Sequence, residues 1–278
     1  MVEKVALLAL ALILGAGGVQ AQTFEGSVAL SYGTAPFLST DDDSERLTES
    51  GYKASGYLGA TFGDWRIFGD LNLYNRSIGD QDFDEYAPGG AGSLGLHAGR
   101  NFGAFYGGAF VGKNRFQGSD VTTTNDYMTG SLYGIEGEYS MGAVSVFAQV
   151  GRAKMIGDPG DSEFSGSFSK IGIAATVDRF VISAEFEKGN SPLIFEDDGD
   201  SGDYRAISVG VDYQITDRVI GTLTYETMDI IANTEDSGLD EFFGIGIRIP
   251  FGATGAKRNN LTTSYRPGLA AAWAETLD

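Results

Sequence analysis

Polar and apolar residues alternate with period two over windows of about ten residues along most of the chain, and no helical 3.6-residue period of useful length appears before the last dozen residues. The candidate strands run Phe24 to Thr34, Tyr52 to Phe62, Trp65 to Asn75, Ala91 to Asn101, Ala104 to Lys113, Tyr127 to Tyr139, Ala143 to Arg152, Ser167 to Val177, Phe180 to Lys188, Tyr204 to Gln214, Val219 to Met228 and Glu241 to Phe251. Gly63-Asp64, Phe102-Gly103, Met141-Gly142, Asp178-Arg179 and Thr216-Asp217-Arg218 read as tight links. Between them lie six long segments: Ala35 to Gly51, Arg76 to Gly90, Asn114 to Asp126, Lys154 to Gly166, Gly189 to Asp203 and Asp229 to Asp240. Strict short-long alternation, with the long loops at one end and both termini at the other, is the layout of an up-and-down antiparallel barrel that crosses a membrane. We therefore expect an all-β fold of about twelve strands, with ten or fourteen as alternatives.

The alternation assigns faces. Trp65, Ile67, Gly69, Leu71 and Leu73 share one side of a strand and Arg66, Asp70 and Asn72 the other. With the apolar side outward, one rim carries Phe24, Phe62, Trp65, Phe105, Tyr139, Phe180, Tyr213 and Phe251. The opposite rim carries Tyr32, Tyr52, Tyr127, Phe186, Tyr225 and Phe243. Two aromatic girdles about ten residues apart suit a tilted strand crossing an apolar band of ~25 Å. A soluble sandwich or lipocalin-like barrel would also alternate, but it has no reason to place aromatics at both ends of one face.

The N-terminus fits export. Residues Val5 to Val19 are apolar, Met1 and Lys4 precede them, and Val19-Gln20-Ala21 follows. This pattern reads as a signal peptide, residues 1–21, cleaved after Ala21; a spanning helix would need about 20 apolar residues. The chain contains no Cys and 41 Gly in 278 residues, twice the usual ~7% glycine. The formal charge of −19 argues against nucleic acid as a partner. Glycine belongs to strand bends and turns; Gly99-Arg-Asn-Phe-Gly103 lacks the Lys-Ser/Thr and the following helix of a phosphate loop.

The segment Gly244-Ile-Gly-Ile-Arg-Ile-Pro-Phe251 is similar to the terminal-strand signal of outer-membrane barrels. Over Phe24 to Phe251 the chain resembles Gram-negative outer-membrane β-barrel proteins of the porin type. That resemblance implies residence in the bacterial outer membrane, short periplasmic turns, long acidic extracellular loops, and handling by the barrel assembly machinery. Outer-membrane lipid and lipopolysaccharide would be its surroundings. The barrel would occupy residues 22–251. Residues 252–278 would form a periplasmic extension with a short helix, or a plug whose Lys257 and Arg258 meet acidic lumen residues.

Inward parity assigns Lys53, Arg66, Asp70, Glu136, Glu138, Lys170, Glu185, Glu187, Asp212, Glu226 and Arg248 to the lumen. Charges out of contact with lipid but within its span need water or partners. Acids from the sixth to eleventh strands against Lys53, Arg66 and Arg248 predict a transverse field favouring cations or zwitterions. The function so implied is passive diffusion of small hydrophilic solutes or ions through a monomer or weak oligomer. The alternative is a non-conducting structural or adhesion barrel acting through its acidic loops, its inner charges simply paired across a narrow bore. Catalysis is not expected, because the single His, His97, sits in Leu96-His97-Ala98-Gly99 without a serine in His-x-Ser spacing. No cofactor is expected beyond a candidate structural Ca²⁺ among Asp198, Asp200 and Asp203, whose oxygens suit a hard cation but which lack the closing Glu of an EF-hand.

Overall fold

The computed structural model describes residues 23–36, 48–78, 90–117, 127–156, 163–192, 201–231, 237–252 and 259–263. Twelve strands occupy almost all of these: β1 (Thr23–Pro36), β2 (Thr48–Phe62), β3 (Trp65–Ile78), β4 (Gly90–Phe102), β5 (Phe105–Gln117), β6 (Tyr127–Met141), β7 (Val144–Ile156), β8 (Glu163–Val177), β9 (Phe180–Pro192), β10 (Ser201–Thr216), β11 (Val219–Ile231) and β12 (Ser237–Gly252). Each pairs antiparallel with its sequence neighbours, and β1 pairs with β12 from Glu25↔Gly252 to Thr34↔Phe243, closing the barrel. Closure leaves no strand edge, so the backbone of every strand has partners without water, the condition for crossing hydrocarbon.

The short links follow the φ requirements of two-residue hairpins. Gly63, Gly103, Gly142 and Asp178 open four turns with φ of 59, 66, 63 and 52°, left-handed values that glycine adopts freely and aspartate tolerates. Consequently Phe102 and Met141 close strands, and Ala104 and Ala143, expected to begin them, are turn residues. In the fifth link Thr216 stays in β10 beyond a register shift after Gln214, leaving Asp217-Arg218 as the turn. At the other end the strands outlast their hydrophobic pattern: β2, β8 and β12 begin at Thr48, Glu163 and Ser237. The backbone ladder there continues into polar sequence, where alternation carries no burial signal.

The outward face is apolar and exposed. Ile135 and Ile245 are 67% and 65% exposed, in company with Leu30, Val111, Val150, Ile171 and Ile247. A continuous apolar surface of this kind does not face water in a soluble monomer. Phe24, Trp65, Phe105, Tyr139, Phe180, Tyr213 and Phe251 stand exposed near the short-turn rim, with Phe62 half-buried beside them. Tyr32, Tyr52, Phe186, Tyr225 and Phe243 stand exposed toward the other rim; the Tyr127 side chain, the middle of each of the six long loops, residues 1–21 and most of the C-terminal segment lie outside the described residues.

On the inner wall, rings lie flat over glycines of neighbouring strands: a Cβ at Gly172 would overlap the Phe147 ring, and one at Gly151 would come 2.7 Å from Phe168. This lets Phe110, Leu132, Ala153, Phe168, Tyr204, Ala206 and Met228 form a buried apolar cluster inside the barrel. The core of this protein is therefore within its lumen, concentrated against β5–β11.

Candidate functional site: a polar lumen with an inserted C-terminal segment

The remaining lumen is polar and layered. Nearest the short turns, Arg66 donates to Glu25 Oε1 from Nη2 at 2.9 Å and from Nε at 3.1 Å, and its Nη1 lies 3.9 Å from Glu138. The Arg66 guanidinium also covers the Phe68 ring at 4.7 Å. The alternation of β3 turns Arg66, Phe68 and Asp70 to the same side, so one strand supplies a cation, a ring and a carboxylate in vertical succession.

Above this layer, His97 is completely buried between two carboxylates. Its Nε2 lies 2.6 Å from Asp70 Oδ1 and its Nδ1 2.8 Å from Glu136 Oε2. Both ring nitrogens thus lie within hydrogen-bond distance of a carboxylate oxygen. Phe68 stacks on it at 4.2 Å and 9°. Gln149 Nε2 donates to Glu136 Oε2 at 2.9 Å, and the Tyr106 hydroxyl to Glu136 Oε1 at 3.1 Å. With both nitrogens engaged, this β4 histidine is a clamp between strands β3 and β6.

The C-terminal segment enters the same region. Asn259 accepts from Arg66 at 3.4 Å, and Asn260 Nδ2 donates to Glu138 Oε1 and Ser145 Oγ, both at 3.0 Å. Leu261 is fully buried with Phe68, Tyr106 and Phe147. Thr263 donates its backbone N–H to Asp70 at 3.1 Å and its hydroxyl at 2.9 Å, and lies 2.7 Å from His97 Nε2. Gly95 and Gly112 make the notch that receives it, since a Cβ on either would overlap Thr263. The contacts of this segment are made by its neutral residues; Lys257 and Arg258 lie outside the described residues.

All eleven charged residues assigned to the lumen have inward side chains, and Lys53, Arg66 and Arg248 share the β12-β1-β2-β3 arc, but the charges pair off rather than standing apart as two walls. Lys53 pairs with Glu226 and lies over Phe242 at 4.2 Å. Arg248 meets Asp212 at 2.8 Å. Lys170, on the expected acidic wall, lies 3.6 Å from Glu187 and 3.9 Å from Glu185, and Tyr204 donates to Glu187 at 2.7 Å. The transverse field expected from strand positions is thus replaced by ion pairs along the wall: Lys170 and Glu187 are direct cross-strand partners, Arg248 and Asp212 stand two strands apart, and Lys53 and Glu226 three.

Beside the apolar cluster runs a cavity of about 270 Å³ against β1–β4 and β9–β12. Its charged lining is Asp70, Glu185, Asp212 and Glu226 with Lys53 and Arg248; hydroxyls such as Ser27, Ser55, Ser93 and Thr222 separate them. Asn259, Asn260 and Thr262 form part of its wall. Asn114, buried at 3% exposure on this wall, has neither amide atom hydrogen-bonded among the described residues, and Asn260 Oδ1 is likewise unpaired. Such groups take their hydrogen bonds from whatever fills the cavity.

Of the candidate Ca²⁺ residues, Asp198 and Asp200 lie outside the described residues, and Asp203 accepts from Asn190 at 3.0 Å. The inner aromatics of the apolar cluster are not among the expected lumen residues, although inward Phe110 between Gly108 and Gly112 is a visible signal. The inserted segment has no comparable signal.

The Gram-negative porin family matches residues 73–230. No curated protein matches the chain. Among solved structures, OmpT of Vibrio cholerae with loop L8 deleted is 16% identical, covering 84% of this chain and all of that one, with a TM-score of 0.45. The translocator domain of the autotransporter NalP from Neisseria meningitidis is 11% identical over 89% of this chain and 96% of its own, at 0.46. An anion-selective porin from Comamonas acidovorans is 9% identical over 83% of this chain and all of its own, at 0.42.

Proposed function

This chain belongs to the Gram-negative porin family, an outer-membrane β-barrel channel, and from that premise we propose that it passes small hydrophilic solutes by diffusion, preferring cations to anions. The observation that carries the reading is the polar cavity, whose lining has four carboxylates against two cations. Solutes enter from the long-loop, extracellular end and travel beside the apolar cluster. The ion pairs Lys53–Glu226 and Arg248–Asp212 keep the wall charged yet shallow in attraction, so a cation is drawn in without being trapped. Asn259, Asn260 and Thr262 form the periplasmic constriction. The clamped state of His97 supports a non-catalytic barrel.

A second reading is favoured by one observation. Among the described residues the inward cations Lys53, Arg66, Lys170 and Arg248 each face a carboxylate, as a closed structural barrel would arrange them. Planar-bilayer recording of the refolded full chain across a salt gradient separates the two. The channel reading predicts unitary conductance with a cation-selective reversal potential. Absence of conductance from both the full chain and a chain shortened after Gly252 refutes it, and an anion-selective potential refutes the lumen assignment.

A further inference from the structure

The two outer girdles are not equivalent. Moving eight positions from the periplasmic rim toward the loops, Phe24 leads to Tyr32 on β1 and Phe251 to Phe243 on β12, so this sector is aromatic at both rims. The same step leads from Phe105 to Lys113 on β5, from Val144 to Arg152 on β7, from Phe180 to Lys188 on β9 and from Tyr213 to Arg205 on β10. All four cations are exposed and outward, and Arg115 and Lys154 extend the row two positions further on β5 and β7. A chain of net charge −19 thus concentrates six cations on one arc of its membrane-facing surface.

Register brings them together. Lys113 and Lys154 share a rung with Ser131 between them, about 10 Å apart at the usual strand spacing. Lys188 and Arg205 are direct cross-strand partners, and like charges so placed repel at about 5 Å. Asp229 offsets Arg205 at 3.2 Å, and outward Asp203 lies at the same β10 edge. On β5 to β8, the outward described residues between the cations are hydroxyls, including Thr129, Ser131 and Ser165. Hydroxyls beside cations are the donor set of a phosphate site.

The position identifies the occupant. Two residues below each cation on the same outward face stands an apolar side chain: Val111, Val150, Phe186 and Ile207. A molecule that touches both levels has hydrocarbon below and negative charge above. We infer that the arc from β5 to β10 binds the phosphorylated headgroup of an outer-leaflet glycolipid, lipopolysaccharide, with its acyl chains against the apolar band. The site rests on the outer-membrane location and is independent of conduction, so its test reads no current.

The experiment uses the refolded full chain in neutral detergent, challenged with lipopolysaccharide, with the same lipid enzymatically dephosphorylated, or with inorganic phosphate. Bound lipid is read by native mass spectrometry and barrel stability by thermal unfolding. Lipopolysaccharide is expected to bind and raise the Tm, and the dephosphorylated lipid to bind far more weakly. Lys113→Gln with Arg152→Gln and Lys154→Gln should lower affinity by about fivefold per charge, roughly 100-fold together. The charge-preserving pair Lys113→Arg and Lys154→Arg should restore binding, which separates loss of charge from misfolding. Arg179→Gln with Arg218→Gln, on the periplasmic turns, should bind as the parent does. Unchanged binding by the triple variant, or equal binding of the dephosphorylated lipid, overturns the proposal. A Tm rise of the same size with inorganic phosphate alone also overturns it, by showing a free-anion site.

Discussion

Leu261→Ala is the sharpest probe of the inserted segment. Ordering the five residues 259–263 costs about 7 kcal/mol at ~1.5 per residue. Burying Leu261 among Phe68, Tyr106 and Phe147 returns about 2.5 kcal/mol. Three hydrogen bonds to carboxylates, from Thr263 N, Thr263 Oγ1 and Asn260 Nδ2, return about 2 kcal/mol each. The segment is therefore docked by only about 1 to 2 kcal/mol. Truncating a fully buried leucine removes about 3 kcal/mol, which changes the ratio of docked to released states by more than ~100-fold and reverses it.

The assay is single-channel recording at fixed voltage. The parent should show a small unitary conductance, and Leu261→Ala a larger one, equal to that of a chain shortened after Gly252. Gly95→Ala provides an independent route, since its Cβ would take the place of Thr263 Oγ1 and leave the tail intact. If the shortened chain conducts as the parent does, residues 259–263 are not the constriction and the reasoning fails.

Three further outcomes follow from the same geometry. His97→Ala leaves Asp70 and Glu136 facing each other in a buried site and should cost about 3–5 kcal/mol, measured as a lowered midpoint of urea unfolding in lipid vesicles; an unchanged midpoint would show that the clamp is dispensable. Ile247→Arg, at a residue 52% exposed on the outward face and midway between the girdle residues Phe243 and Phe251, should destabilise the barrel by about 2–4 kcal/mol in vesicles, whereas a soluble barrel would tolerate it, and the vesicle unfolding curve decides. Lys53→Met removes the partner of Glu226 and should move the reversal potential further toward the cation value; a move toward the anion value contradicts the assigned route.

The strands were legible because membrane crossing imposes one pattern on every one of them. Each must bury backbone in a ladder and show lipid an apolar side, so β3 and β12 repeat the same alternation although they share little sequence. The ends were less legible, for two separate reasons. At the loop end, β2 and β12 remain paired where their side chains are already in polar surroundings, and alternation says nothing there. At the turn end, the decisive quantity is φ at one residue, which moved Ala104 and Ala143 out of their strands.

The faces of the charged residues followed from parity, but their mutual relations did not. Parity is a property of one strand; pairing depends on the register between strands. Lys170 shows the difference: Glu187 is its direct partner on β9, and its ammonium lies 3.9 Å from Glu185 and 3.6 Å from Glu187, so the acidic wall contains its own counter-charge. The inserted segment is harder still. Asn259-Asn260-Leu261-Thr262-Thr263 has no period, cap or charge, and its partners Arg66, Asp70, His97 and Glu138 are more than a hundred residues away. What makes the site specific is the wall: glycines at 95 and 112 that leave room for a side chain, and Asp70, which presents Oδ1 to a backbone N–H, a hydroxyl and an imidazole nitrogen at once. In a barrel whose outside is dictated by lipid, such departures from plain alternation on the inside carry the information about what occupies the lumen.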